Sequence, residues 1–326
     1  MSNVLAKALD RVLETTIVGS FTTGGFSARS RLQNWERLPS MNGQTVLLTG
    51  GTSGIGRATA AAIHALGADV VITSRSLERA NSVAAEIEAA HDGEGSVTGA
   101  SLDTSDFGSI NELVDRITTE FASVDVLINN AGALTDQYRT SDDDIELTLA
   151  SHLVGPYHLV TSLRPLMAKG ARVLWMSSGG MYTQGLDVEK IEMDETSFKG
   201  AVAYAKAKRG QVELVHHLAP MWAPDIVMHS MHPGWVDTDG VDQGLPGFSK
   251  VMGPLLRSAE QGADTMVWLA AGGADEDRPG GFYLDRARRG TVYAPGTGTD
   301  TAERKKLVEW LELMTLPAQS SSSQSR

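Results

Sequence analysis

Tyr204 and Lys208 stand four residues apart in Tyr204-Ala205-Lys206-Ala207-Lys208, so on a helix they share a face. A free phenol titrates near 10 and is a poor acid or base at neutral pH unless a nearby cation favours its phenolate. An ammonium one turn away is such a cation, and the pair could then move a proton to or from a substrate oxygen. Such pairs also arise by chance, and Lys206 is a nearby decoy. The rest of the chain has to decide.

A second chemical signal lies upstream. The apolar run Thr45-Val46-Leu47-Leu48-Thr49 leads straight into Gly50-Gly51-Thr52-Ser53-Gly54-Ile55-Gly56, and an alanine-rich stretch follows. Strand, glycine turn and helix in that order form a pyrophosphate cradle: the turn is tight, the backbone must approach an anion closely, and the helix amides face it. Gly50, Gly54 and Gly56 fill those roles, and Thr52 or Ser53 could add hydroxyl contacts. The next strand ends Thr73-Ser74-Arg75 with no carboxylate to hold a ribose 2′-hydroxyl. Arg75 could instead pair with a 2′-phosphate, so NADP(H) is favoured, with NAD(H) possible.

Stepping outward, strand-like and helix-like segments alternate from residue 44: TVLLTG, DVVITSR, SVTGASLD, VDVLINNAG, ARVLWMS, DIVMHSMHPG and a last run near Gly281 to Leu284. This alternation predicts an α/β fold, a Rossmann-type doubly wound parallel sheet of about seven strands with helices on both faces. One helix is predicted over residues 142–168. The apolar spacing of residues 4–17 predicts a short amphipathic helix, lying against the domain or docking as a foot on a membrane surface. Residues 19–43, rich in glycine and poor in periodicity, read as an ordered arm or loop. The chain thus divides into an amphipathic helix and arm (1–43), a single catalytic domain (44–316) and a disordered serine-rich tail (317–326).

Composition narrows the function. The formal net charge is -12, which disfavours nucleic acid. There is no cysteine, which excludes thiol chemistry and suits the cytoplasm. No apolar run reaches the ~18 residues of a membrane span. The eight histidines are scattered without metal-ligand spacing, so no catalytic metal is expected.

Taken in order, TGGTSGIG (49–56), NNAG (129–132), a strand ending in Ser177-Ser178, YxxxK (204–208) and PGWVDT (233–238) resemble the short-chain dehydrogenase/reductase family over residues 44 to about 285. More narrowly, SSGGM (177–181), SMHPGWVDTDGV (230–241), LPGF (245–248) and LRSAEQGADTMVWLA (256–270) look like the member 12 group of that family. The resemblance implies that Ser178, with Ser177 as the competing assignment, hydrogen-bonds a substrate oxygen. Tyr204 would carry the proton, and Lys208 would also bind the nicotinamide ribose. It implies that Asp103 meets the adenine, that Asn130, Ala131 and Gly132 line the ribose, and that Val236 and Thr238 hold the carboxamide and phosphates on a loop shaped by Pro233 and Gly234. Where family members carry an asparagine whose backbone carbonyl holds a relay water, this chain has His152. Either the carbonyl alone matters there, or the imidazole joins the relay.

The implied reaction is hydride transfer between a nicotinamide and a carbonyl or alcohol. Leu245, Phe248, Val251, Met252 and Leu255, with Met181, Tyr182 and Trp235, suggest a lipophilic substrate. A regulator that binds nucleotide with little turnover is the alternative. Homodimers or homotetramers would form through the helices after residues 104 and 204.

Overall fold

The strands β1 (Thr45–Leu48), β2 (Asp69–Ser74) and β4 (Val124–Asn129) are near-continuous Val, Leu and Ile runs, the pattern of strands covered on both faces. With β3 (Val97–Ser101), β5 (Met167–Met176), β6 (Ile226–Met231) and β7 (Gly281–Leu284) they form a parallel sheet, closed by an antiparallel β8 (Ala287–Arg288), in the order β3-β2-β1-β4-β5-β6-β7-β8. The computed structural model describes residues 10–14, 16–91, 93–132, 134–237, 252–274 and 278–316.

Alternate residues feed two cores. Val46 and Leu48 face α3 (Gly54–Ala65), α4 (Leu77–Ala90) and α8 (Ala259–Ala270). Leu47, Val173 and Trp175 face α5 (Phe107–Glu120), α6 (Gly155–Leu163), α7 (Gly200–Trp222) and α9 (Thr301–Met314).

The seven anticipated strands are present, and β8 is additional. Its two residues are too few to show a period of two. Its turn, Asp285-Arg286, takes φ of 54° and 53° without the Asn-Gly or Asp-Gly pair that usually marks such a hairpin.

Two other expectations need correction. Residues 142–168 are not one helix. The Glu146 carboxylate caps a short helical turn, Leu147–Leu149, which passes through a π-turn, Ala150–Val154, into α6. Pro165 follows the end of α6 because it cannot continue the ladder, and β5 begins at Met167.

Residues 19–43 are not a loop at their start. They hold the end of α1 (Ile17–Phe21) and all of α2 (Thr23–Gln33). The glycines there permit close contact instead of turning: a Cβ on Gly25 would lie 2.1 Å from the Gly19 carbonyl.

A further element, not anticipated from the sequence, is α9, whose Leu307, Val308 and Leu311 pack in the same cluster as Leu214, Val215, Leu218 and Trp222 of α7. The consequence is that α7 is covered on its outer side too.

The arm is fastened by buried ions. Asp285, fully buried, receives Arg257 at 2.6 and 3.0 Å and Arg29 of α2 at 2.7 Å. Arg29 also reaches Asp10 at 2.6 Å, and Arg289 reaches Asp10 at 2.8 Å and Glu14 at 3.1 Å. The described part of the N-terminal helix, residues 10–14, therefore lies against the domain. Residues 1–9, like the serine-rich tail, lie outside the described residues.

Removing one partner from a buried pair leaves an uncompensated charge. Asp285→Ala is expected to lower unfolding free energy by about 3–5 kcal/mol in urea titration. A loss below ~1 kcal/mol, the worth of an exposed pair, would show that the two arginines find other partners.

Candidate active site

α7 packs on the sheet with Lys208 at the carboxyl end of β5, the end of a doubly wound sheet where ligands bind. Lys208 is 2% exposed, and its Nζ donates to the Met176 carbonyl at 2.6 Å and lies 5.5 Å from the Tyr204 ring centre. Burial pulls its pKa down to about 7. Tyr204 is partly accessible at the mouth. Desolvation pushes its phenol above the usual value, and a hydrogen bond with the Ser178 side chain pulls the other way. The decoy Lys206 donates to the Lys190 carbonyl, on a different face of the helix.

The two serines have separate surroundings. Ser177 is 2% exposed and its hydroxyl donates to the Lys208 carbonyl at 2.9 Å, pinning α7 to the end of β5. Ser178 caps the 3₁₀ turn Gly179–Thr183, its Oγ accepting from the Gly180 amide at 3.2 Å, and faces Tyr204.

His152 sits in the π-turn, and its imidazole is held edge-on to the Tyr204 ring at 5.1 Å between centres. Its other side is filled by Gly132 (φ 147°), where an added Cβ would fall 1.9 Å from the imidazole Cε1. Its backbone carbonyl, which the resemblance places in a water relay, accepts from Gln211 Nε2 at 2.6 Å. Gln211 was not foreseen. The signal that could have found it is its position on the face of α7 that carries Tyr204 and Lys208, three residues beyond the lysine.

The glycine turn is built as a cradle. Gly50 has φ 70°, and a Cβ there would meet Ala131 Cα at 2.9 Å. A Cβ on Gly56 would lie 2.1 Å from the Gly50 carbonyl, so α3 starts hard against the turn. Ser53, the N-cap of α3, makes no side-chain capping bond, so the first amides of the helix are available to an outside anion. Thr52, Gly54 and Ile55 complete the rim, with Gly54 exposed at φ 49°. These features fit a dinucleotide pyrophosphate.

Asn130 also supports the glycine turn. Its amide donates to the Thr49 and Gly50 carbonyls at 2.9 and 3.1 Å, bracing the turn from beneath. The amides of Asn130 and Ala131 both donate to Thr49 Oγ1 at 3.0 Å. The Asp103 carboxylate accepts from Ser105 N and Oγ, and Arg75 is exposed just beyond β2.

Pro233, Gly234 and Val236 form a loop after β6. Gly234 has φ 81°, and Val236, 3% exposed, bridges to Arg257. Thr238, Leu245, Phe248 and Val251 lie outside the described residues. Of the supposed pocket residues, Met181 and Tyr182 are buried in an aromatic cluster, Trp235 is half-buried and Leu255 is exposed. Among the described residues no histidine or carboxylate cluster could hold a metal, and no helix is long and apolar enough to cross a membrane.

Residues 44–245 match the family model for short chain dehydrogenases. The chain is 39% identical to human dehydrogenase/reductase SDR family member 12 over 83% of this chain and 86% of that protein. It is 28% identical to mouse retinol dehydrogenase 14 over 75% and 78%. Among solved structures, a blue fluorescent protein from a metagenomic library in complex with NADPH superposes with TM-score 0.60 at 24% identity, covering 74% of this chain and 96% of that one. With the glycine cradle, the buried lysine under its tyrosine and these likenesses together, the chain belongs to the short-chain dehydrogenase/reductase family of oxidoreductases.

Proposed function

We propose that the chain is an NADP(H)-dependent oxidoreductase that interconverts a lipophilic ketone or aldehyde and its alcohol. The observation that carries this is the meeting of Ser178, Tyr204 and Lys208 at the same sheet end as the glycine cradle. A nicotinamide dinucleotide bound in that cradle supplies or accepts the hydride. The chain's own part is to hold the substrate and move the proton. Ser178 Oγ donates to the substrate oxygen, fixing the carbonyl beside Tyr204. The Tyr204 Oη gives its proton to that oxygen in reduction and takes it back in oxidation.

Lys208 lowers the energy of the phenolate by its charge. With its pKa near 7 in the free protein, that charge is held weakly, so a bound anionic cofactor raises its occupancy. His152 acts first through its carbonyl, which Gln211 fixes, and its imidazole walls in the Tyr204 ring.

Arg75, exposed at the end of β2 beside the cradle, supports the preference for NADP(H). Relatives named for retinol support a lipophilic substrate. A homodimer or homotetramer would use α5, whose outer face is exposed, because α9 covers α7. The lack of cysteine suits a cytoplasmic setting.

Tyr204→Phe is expected to keep NADPH binding, read by fluorescence titration, and to lower kcat on a responsive ketone by about 10²–10⁴-fold. Tight binding with no turnover on any carbonyl by the wild-type chain would favour the regulator reading. Arg75→Ala should raise the KM for NADPH about tenfold or more, the worth of one charge-assisted bond, with NADH unchanged; equal effects on both would remove the preference.

Lys208 also makes a stability prediction. In the folded chain it releases its proton near 7, in the unfolded chain near 10.5. Between those values the unfolded state binds the extra proton, so this group adds stability as pH rises, at about 1.4 kcal/mol per pH unit. Lys208→Met should therefore be most stabilising, relative to wild type, at pH 7 and below, and its advantage should shrink towards pH 10. A pH-independent difference would mean that Lys208 stays charged when buried.

A further inference from the structure

We propose that the N-terminal arm is a working wall of the active site, with Phe21 as a positioning residue that locks the Ser178 turn and the Pro233–Asp237 loop to each other. This rests on the oxidoreductase reading above.

The ring of Phe21, 3% exposed, touches both pieces of the site. On one side it lies against Gly179, the residue after Ser178: a Cβ on Gly179 would stand 2.8 Å from Phe21 Cε2. On the other it meets Trp235 edge-on at 5.8 Å between centres. Beneath, it meets His232 at 4.5 Å, and His232 stacks on Phe282. His232 Nδ1 accepts from the Gly234 amide at 3.3 Å, so the cluster itself reaches into the loop.

The backbone of the same residue completes the lock. The Phe21 carbonyl accepts from the Trp235 amide at 2.8 Å and from Arg257 Nε at 3.0 Å. Arg257 Nη1 in turn donates to the Pro233 carbonyl at 3.1 Å, and its Nη2 to the Ser20 carbonyl at 2.8 Å. Gly234 passes so close that a Cβ would lie 2.5 Å from Arg257 Nε and 2.7 Å from the Phe21 carbonyl. One residue of the arm therefore sets the separation between the serine that orients a substrate oxygen and the loop on the nicotinamide side. Catalytic groups must be held within about 0.5 Å by what packs behind them. Phe21 is buried behind both, so it acts through them.

A purely structural arm would contribute stability only. Phe21→Ala in the full chain tests the difference, with Phe21→Leu as the conservative variant and Leu113→Ala, in the α5 core, as a control matched for the fall in Tm. Hydrogen exchange of the free protein gives a readout independent of turnover. The expected result is exchange at least tenfold faster in peptides covering 177–183 and 231–237 of Phe21→Ala, with the glycine turn unchanged. kcat on the ketone should fall tenfold or more, Phe21→Leu should recover part of both effects, and Leu113→Ala should keep kcat. Unchanged exchange in those two peptides, or an activity loss that merely follows Tm in both Ala variants, overturns the proposal. If wild type turns over no carbonyl, the oxidoreductase reading fails, and the exchange data still decide whether Phe21 locks the two segments. Should Phe21→Ala not fold, Phe21→Leu and Gly179→Ala, which press on the contact from either side, carry the same comparison.

Discussion

Taking an ammonium out of water costs several kcal/mol unless other dipoles replace its hydration, and the site depends on doing that to Lys208. Its Nζ faces the Met176 carbonyl at the end of β5, where it is least comfortable as a cation and most useful to the phenol above it. The fold holds it there by burying most of α7. The sheet lies below, the π-turn meets one flank through the bond from Gln211 to the His152 carbonyl, and Ser177 ties the helix backbone to β5. The hydrocarbon of α9 covers the outside. An unfavourable burial is in this way made the stable arrangement.

The parallel sheet explains why the two halves of the site meet. All of β1 to β6 point their carboxyl ends the same way, so the glycine turn after β1, Asn130 after β4, Ser178 after β5 and Pro233 after β6 emerge at one edge. Their mutual bonds are backbone-directed: Asn130 holds the carbonyls of the turn, and Thr49 receives the amides of Asn130 and Ala131. Sequence neighbours of the sheet edge become the walls of one cleft without any long-range side-chain code.

That is also why so much of the site was legible. The strands announce themselves by β-branched runs, and the glycine turn and the Tyr204–Lys208 spacing are local patterns that the fold then assembles. What could not be read are contacts between segments far apart in the chain. The role of Asn130 beneath the turn needs the partner carbonyls to be seen. The helices of the arm were hidden because Gly19 and Gly25 serve a crossing instead of a bend, and the cover that α9 gives α7 joins segments far apart in the chain. Asp285 in a positive-φ hairpin, neutralised by arginines from two distant segments, has no local signature at all.

Because α9 belongs to the same chain as the helix it covers, the support of the catalytic lysine is intramolecular. A helix braced by another subunit loses its brace on dilution, as mass action dictates. Here the effective concentration of the brace is fixed by the connecting chain and does not fall with that of the protein. The packing behind Tyr204 and Lys208 is therefore as complete at nanomolar as at micromolar levels, and a scarce enzyme of this design would lose none of its working order to its scarcity.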